Sequence, residues 1–317
     1  MKLTVVVPAH NEATNLPTLF ERLQSALGGT GVDWSMLAVD DGSSDNTPAV
    51  LEDLARKSPR VAWLSLSRCF GQQAALTAGL DHAEGDAVVT MDADLQHPPE
   101  TIPKMIERWK SGIEIVHTRR VSTQDASVFK ACSSRVFYPL FRWLSGSRLE
   151  PGGADFRLLD RRVLDALRRM PERARFLRGM IGWLGFCAET LEYRAEARLH
   201  GVTSYSPARM LLLAWMAIRA FSAKPLHVAT WVGVLTWLLG MLYLGYAIYV
   251  RLFTNETEPG WTSLLSAVLI LGGLQLLCLG LLGEYLALVF EEGKHRPIYV
   301  VRQSSNISRR DPVSAGH

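Results

Sequence analysis

The sequence predicts an α/β chain with a largely parallel sheet, followed by a helical hairpin apolar enough for a bilayer. Two observations carry this expectation. First, the runs "LTVVVPA", "SMLAVDDGS", "VAWLSLSR", "DAVVTMDAD" and "EIVHTRR" are short, rich in β-branched residues and continuous rather than alternating in polarity. Strands covered on both faces read this way. Second, residues 226–250 contain no Asp, Glu, Lys or Arg, and residues 263–283 hold Gln275 as their only amide. At about 1.5 Å per residue each run reaches or exceeds the roughly 30 Å of a hydrocarbon core.

Between the first two runs, Leu16, Leu19, Phe20, Leu23 and Leu27 repeat at helical spacing, as a helix packed on a sheet requires. Before the third, Asp45 can cap a helix whose first turn contains Pro48. The run "SPARMLLLAWMAIRAFSAKP" is apolar but broken by Arg209, Arg219 and Lys224, and Pro225 ends it. This reads as an interfacial helix on a membrane leaflet, with a core helix of the soluble domain as the alternative. The linker "RLFTNETEPGWT" holds one Arg against two Glu, whereas basic residues flank both outer ends of the hairpin. By the positive-inside rule both termini are expected in the cytoplasm. The expected organisation is a sheet domain at 1–204, an interfacial helix at 205–225, a hairpin at 226–290 with spans at 226–250 and 263–284, and a C-terminal extension at 291–317.

Composition narrows the function classes. The 317 residues carry 34 basic and 31 acidic side chains, net +3, which argues against a nucleic-acid footprint over the whole chain. Cys69, Cys132, Cys187 and Cys278 show neither C-x-x-C pairing nor zinc-finger spacing. A reducing compartment fits, and "MKLTVVVPAH" is cut short by Pro8, which is expected to be folded domain rather than signal peptide. No G-x-G-x-x-G follows the first strand and no G-x-x-x-x-G-K-[ST] occurs, so dinucleotide and P-loop phosphate sites lose their main support. The polar clusters "PAHNE", "VDDGSSD", "SRCFGQQ", "MDADLQH" and "HTRR" all fall at strand carboxyl ends, where open parallel sheets bind ligands. Within "VVTMDADLQHPPE", Asp92 and Asp94 can place oxygens around one hard cation that shares its shell with substrate phosphates. His97 behind them reads as a loop residue rather than a ligand.

Together, "VVVPAHNE", "AVDDGSSDNT", "LSRCFGQQAALTAGLDHAEGD" and "MDADLQHPPE" resemble the family 2 glycosyltransferases of GT-A fold. "GADFRLLDRR", "RFLRGMIGWLGF", "RLHGVTSYS" and "LGEYLALVFEEGKHRPIYVV" are similar to the subgroup that acts on polyisoprenyl phosphates, relatives of dolichol-phosphate mannose synthase, with two C-terminal membrane helices. The resemblance spans residues 3–301. It implies that Pro8, His10 and Glu12 line the base and ribose pocket and that Asp40 and Asp41 contact the nucleoside. It places Arg68, Gln72, Asp92 and Ala93 near the nucleotide, and assigns Asp92, Asp94 and Gln96 to Mg2+ or Mn2+. For Asp40 and Asp41, capping the loop through backbone N–H groups is an alternative. Arg119, Lys130 and Ser134 match acceptor-phosphate positions, and Arg120, Arg135 and Arg198 join them as further cations; for Arg135 a solvated surface role stands beside this.

Asp94 is expected to be the central metal ligand. Asp155 is expected to orient the sugar, with a base role or a pair with Arg157 as alternatives. The implied reaction is inverting transfer of one sugar from a nucleotide sugar to a polyprenyl phosphate at the cytoplasmic face of a bacterial plasma membrane. UDP-glucose is the favoured donor, with UDP-N-acetylglucosamine or GDP-mannose behind it. A homo-oligomer is implied, a tetramer with interfaces near "HRPIYVVR". The readings set against this are a catalytically inactive nucleotide-sugar binding subunit and a processive synthase, which lacks its Q-x-x-R-W signature here. Cys69, His10, Ala154, Ser204 and His117 depart from the family pattern.

Overall fold

A computed structural model describes residues 1–120, 153–173, 175–193, 224–253 and 260–306. The described residues divide into two compact units, one built on a sheet and one on two long helices.

In the first unit the five expected runs are strands: β1 (Lys2–Ala9), β2 (Asp33–Asp40), β3 (Val61–Leu66), β4 (Ala87–Thr90) and β5 (Ile115–Arg120). Between them lie α1 (Asn15–Leu27), α2 (Thr47–Lys57), α3 (Gln72–His82) and α4 (Ile102–Lys110). Leu16, Leu19, Leu23 and Leu27 of α1 are all buried on the sheet. Asp45 accepts bonds from the amide and hydroxyl of Thr47 at the start of α2, and Pro48 sits in the first turn. Three further strands complete the sheet: β6 (Gly153–Asp160), β7 (Ala188–Tyr193) and, beyond the long helices, β8 (Val301–Ser305). Helices α5 (Arg161–Arg168) and α6 (Leu177–Trp183) fall between β6 and β7. The later strands are hard to read from sequence for physical reasons. β6 carries Asp155 and Arg157 inside its buried run, and β7 and β8 are polar edge strands.

The strand order is β7-β5-β6-β4-β1-β2-β3-β8. β4, β1, β2 and β3 are mutually parallel, whereas β6 is antiparallel to both β4 and β5. The chain therefore winds outward from β1 to β3 and then returns to the other side of β1 at β4. That reversal makes the β1/β4 carboxyl ends the switch point where an open sheet leaves a crevice. Because β6 runs the opposite way, its first residues reach the same end. Thr90 pairs with Arg157, and continuing that register sets Asp155 opposite Asp92.

β8 pairs antiparallel with β3 and covers its free edge. Tyr299 just before it is buried and donates to Asp81 at 3.1 Å. Within "HRPIYVVR", read from sequence as lying near subunit interfaces, Tyr299 packs on the chain's own sheet and Val301 and Arg302 begin β8.

Two glycines set how closely the loops approach. Gly79 of α3 would bring a Cβ within 2.3 Å of Val6 Cγ1, so the helix lies hard against β1. Gly42, in the loop after β2, has φ +64 and would bring a Cβ to 2.4 Å from the Arg68 carbonyl carbon. Backbone cannot yield as a side-chain tip can. Gly42→Ala is expected to cost about 1–3 kcal/mol, measured by chemical denaturation, with loss of the loop contacts described below.

The second unit consists of α7 (Lys224–Phe253) and α8 (Trp261–Gly293), which touch one another. Both contain stretches long and apolar enough to cross a membrane, Leu226–Tyr243 and Ile270–Gly293. Trp231, Trp237, Leu242, Ile270 and Leu276 are exposed, an apolar surface far larger than a water-facing helix pair carries. α8 continues past the expected end of the second span at 284, through Glu284, Glu291 and Glu292. Helical hydrogen bonds are internal to the segment, so a helix need not stop where its apolar run does. The expected interfacial helix lies outside the described residues, except for Lys224 and Pro225, which begin α7.

Candidate functional site

The crevice is built from the carboxyl ends of β1, β2, β3, β4 and β5 together with the start of β6. After β4 the segment Met91–His97 alternates. Met91, Ala93, Leu95 and His97 are buried, whereas Asp92, Asp94 and Gln96 are half-buried and face the other way. Leu95 takes φ 61, a left-handed conformation that costs an ordinary residue about 1 kcal/mol. His97 anchors the turn: its Nδ1 accepts from the Asp92 amide at 3.0 Å. Its ring stacks on Phe156 at 5.2 Å and meets the edge of Tyr193 at 6.0 Å. Burial first, outweighing the carboxylates Asp94 and Asp155, pushes the His97 pKa down to about 4. The ring is therefore neutral at pH 7 and structural, in line with its reading as a loop residue.

Three carboxylates crowd this point. Burial, then the negative charges of Asp155 and Asp94, push Asp92 up to about 7, against the bond it accepts from Gln72 Nε2 at 2.8 Å. The Asp94 carboxylate accepts from the Gln96 amide at 3.1 Å. Asp155 is the converse case. Burial alone would raise it, but the Arg178 bonds and charge, with Arg157 behind, hold it below its ordinary value of 3.8. Arg178 grips it through Nε at 2.8 Å and an Nη at 3.0 Å, and Arg157 adds a bond at 2.9 Å. The pair with Arg157, one of the three sequence alternatives for Asp155, is therefore present.

A hard divalent cation suits these residues, because Asp92 and Asp94 offer carboxylate oxygens and Gln96 an amide oxygen, and a cation would offset the burial and neighbouring charge that push Asp92 up. A pH dependence follows. Asp92 keeps its proton to about pH 7 in the folded chain but only to 3.8 when exposed. In the absence of cation this group therefore favours the fold below pH 3.8, and that contribution is lost as pH rises to about 7. The same proton competes with metal: Mn2+ affinity is expected to rise about fivefold between about pH 6 and about pH 7 and to flatten above about pH 8. Calorimetric titration across that range checks it, and Asp92→Asn should abolish the slope.

On the β2 side Asp40 and Asp41, expected to contact the nucleoside, are bonded by the loops around them. Asp40 accepts from the Ser43 amide at 3.0 Å and the Ser65 hydroxyl at 2.6 Å. Asp41 accepts from the Phe70 amide at 2.7 Å and the Gly71 amide at 2.8 Å. Both are buried. Loop capping, the alternative raised from sequence, is present at both carboxylates. Pro8 is buried at the end of β1, paired with Val39. His10 is exposed, its Nδ1 2.9 Å from the Asp41 carbonyl oxygen. Glu12 accepts from Asn15 Nδ2 at 2.6 Å and starts α1 through its carbonyl. Arg68 is exposed, with its guanidinium 4.2 Å from the Phe70 ring centroid. Ala93 is buried beneath the acidic turn.

The sequence reading centred the basic side on Arg119 and Lys130, of which Arg119 is among the described residues. Arg119 forms an ion pair with Glu192 of β7. Arg120 instead stands near the acidic centre: its charge lowers both His97 and Tyr193, and Asp92 and Asp94 act on the same Tyr193 ring. Lys130, Ser134, Arg135 and Arg198 lie outside the described residues. Arg178 was missed from sequence. It sits in "RFLRGMIGW", where a cluster of five arginines from Arg168 to Arg178 hides which one faces a buried carboxylate. Gln73 was missed too; its Oε1 accepts from the Leu177 amide at 3.2 Å and so ties α3 to α6.

Comparison with known proteins agrees with this architecture. The profile of glycosyl transferase family 2 matches residues 4–167, and that of the GtrB C-terminal hairpin matches residues 224–289. An uncharacterized glycosyltransferase of Bacillus subtilis, YkcC, is 38% identical over 98% of this chain and 96% of its own. The bactoprenol glucosyl transferase of Shigella phage SfV is 35% identical over 95% of this chain and 98% of its own. Among solved structures, glucosyl-3-phosphoglycerate synthase from Mycobacterium tuberculosis with Mn2+, uridine diphosphate and phosphoglyceric acid superposes at TM-score 0.50. It covers 69% of this chain and 76% of that one at 21% identity, a likeness of fold. With a GT-A-like sheet, an acidic crevice at its switch point and relatives matching from end to end, the chain belongs to glycosyl transferase family 2 and carries the GtrB-type C-terminal hairpin.

Proposed function

We propose that the chain moves a single glucose, with inversion, from UDP-glucose to a polyprenyl phosphate at a membrane surface. The observation that carries this reading is the crevice itself: Asp92 and Asp94 at the β1/β4 switch point, with Arg120 at the end of β5. The full-length likeness to a bactoprenol glucosyl transferase supports the sugar and the acceptor. The apolar hairpin supports membrane association. A lipid that loses about 0.8 kcal/mol per exposed CH₂ does not leave the bilayer, so the enzyme must be held there.

Asp92, Asp94 and Gln96 would hold Mg2+ or Mn2+. Bound there, a divalent cation supplies charge stabilisation for the departing diphosphate. The acceptor phosphate, with a second pKa near ~6, is already anionic at neutral pH and needs no strong base. Asp155, held ionised by two arginines, orients the sugar hydroxyls, and Arg120 receives the acceptor phosphate. On this reading both termini lie in the cytoplasm, and the sheet domain, with β8 returning to it from beyond the hairpin, is the catalytic part.

Incubating detergent-solubilised protein with a polyprenyl phosphate and a panel of UDP- and GDP-sugars, then weighing the lipid product, tests this. A glucosyl phospholipid formed only from UDP-glucose is expected. Product from another nucleotide sugar alone would replace the donor, and tight nucleotide binding without any product would favour a binding subunit. The reassignment of the basic side is tested separately. Arg120→Ala is expected to raise KM for the lipid about tenfold or more, whereas Arg119→Ala, which breaks an exposed ion pair, should change it little.

A further inference from the structure

Three side chains at the ends of β1, β2 and β3 form a second group with metal-ligand chemistry, on loops different from the one that carries Asp92 and Asp94. One ring nitrogen of His10, one carboxylate oxygen of Asp41 and the Cys69 sulfur all lie within 4.8 Å of one another. Ligand atoms around a tetrahedral zinc ion stand about 3.3–3.8 Å apart, so closure by roughly 1 Å completes the set. Two of the three can make that movement, because His10 and Cys69 are exposed.

The third is fixed, and its fixation resembles the support a metal ligand needs. The Asp41 carboxylate is oriented by the Phe70 and Gly71 amides. His10 Nδ1 lies 2.9 Å from the Asp41 carbonyl oxygen, which holds the ring over the same residue. Such bonds to ligand side chains set their direction and are part of a metal site's construction. The Cys69 thiol already points at the carboxylate, donating to Asp41 Oδ2 at 3.3 Å.

We propose that His10, Asp41 and Cys69 form a binding site for a borderline-soft divalent cation of the Zn2+ class, separate from the hard-cation site. A mixed imidazole, carboxylate and thiolate set selects Zn2+ over Mg2+ or Mn2+, whereas the oxygen ligands beside β4 select the reverse. Binding replaces the S–H···O contact with an S–metal bond, and the thiol proton passes to solvent. The fourth position stays open to water, since three protein ligands converge among the described residues. His10 and Asp41 are also the residues assigned to the donor's nucleoside pocket. On that reading, which this consequence depends on, Zn2+ and nucleotide exclude one another, and the site is inhibitory.

The test uses full-length protein in detergent with a non-thiol reductant. Titration with Co2+ should produce a thiolate-to-cobalt charge-transfer band that Zn2+ abolishes by displacement. The band should vanish in Cys69→Ser and in His10→Ala and persist in Asp94→Asn, with thermal melting of each variant showing that it is folded. Absence of the band in the wild type, or its survival in Cys69→Ser, overturns the proposal. A second arm addresses the consequence. With Zn2+ at about ten times its own Kd, exclusive binding raises the apparent Kd for UDP roughly tenfold in the wild type and not in Cys69→Ser. If the cobalt band behaves as expected but UDP affinity does not move, the metal site stands and the nucleoside-pocket assignment of His10 and Asp41 fails.

Discussion

Replacing Asp94 with alanine is expected to lower kcat by about 10³-fold, the scale on which enzymes lose a group that stabilises charge developing on a leaving oxygen. Asp94 is half-buried on the outward face of the turn, and its carboxylate is steered by the Gln96 amide. Removing it takes away a hard oxygen ligand and also part of the negative field that raises Asp92. Two readouts should therefore move together. Mn2+ affinity falls, and the midpoint of its pH dependence, expected near 7 in the wild type, shifts downward because Asp92 ionises more easily. A variant that keeps full turnover in excess chelator would sink the metal assignment. The fold should be unaffected, since Asp94 lies outside the buried core.

The second large effect is expected at Asp155, and there stability and activity separate. The Asp155 and Arg157 side chains are only 7% and 5% exposed. Asp155→Ala leaves Arg157 in the interior beside the positive charge of Arg178, and a broken buried pair costs about 3–5 kcal/mol. Asp155→Asn keeps an acceptor oxygen for the arginines and should retain much of that stability while losing sugar positioning, with kcat down about 10²-fold. The wild-type carboxyl is held below 3.8, so its contribution to stability is present at neutral pH and is lost as the pH falls through and below that value. A group already ionised throughout the working range is a poor general base. The kcat/KM profile of Asp155→Asn should therefore keep the wild-type acidic limb, and disappearance of that limb would restore Asp155 as base. Denaturation and kinetics on the two variants together distinguish a folding defect from a positioning defect.

Legibility in the sequence followed the range of the interactions involved. The first five strands and the helices between them were readable because burial on both faces writes itself as continuous β-branched runs, and burial on one face as helical spacing. The hairpin was readable because a bilayer demands length and the absence of charge, both properties of consecutive residues. The acidic turn was readable as well: Asp92, Asp94 and Gln96 share one face through the period-two alternation of their own segment. Even His97, set aside as a loop residue, acts within five positions of its partner.

What escaped was whatever depends on partners distant in the chain. Asp155 meets Arg178 only because β6 runs antiparallel and α6 folds back across the crevice, 23 residues later. Asp40 and Asp41 show adjacent carboxylates in sequence, and only the approach of β3 and the loop after it reveals that Ser65, Phe70 and Gly71 orient them. Arg119 and Arg120 are indistinguishable as neighbours in a string, yet consecutive residues of a strand point to opposite faces. Arg119 pairs with Glu192, and the charge of Arg120 acts on the His97 and Tyr193 rings. β8 returns to the edge of β3 from beyond the whole hairpin, a pairing no local pattern encodes. The sequence by itself thus determined the family, the sheet's central strands, the apolar hairpin and the acidic turn, because each is written in contiguous residues. The tertiary structure alone decided which charges are paired and which face the crevice, because that depends on strand direction and register.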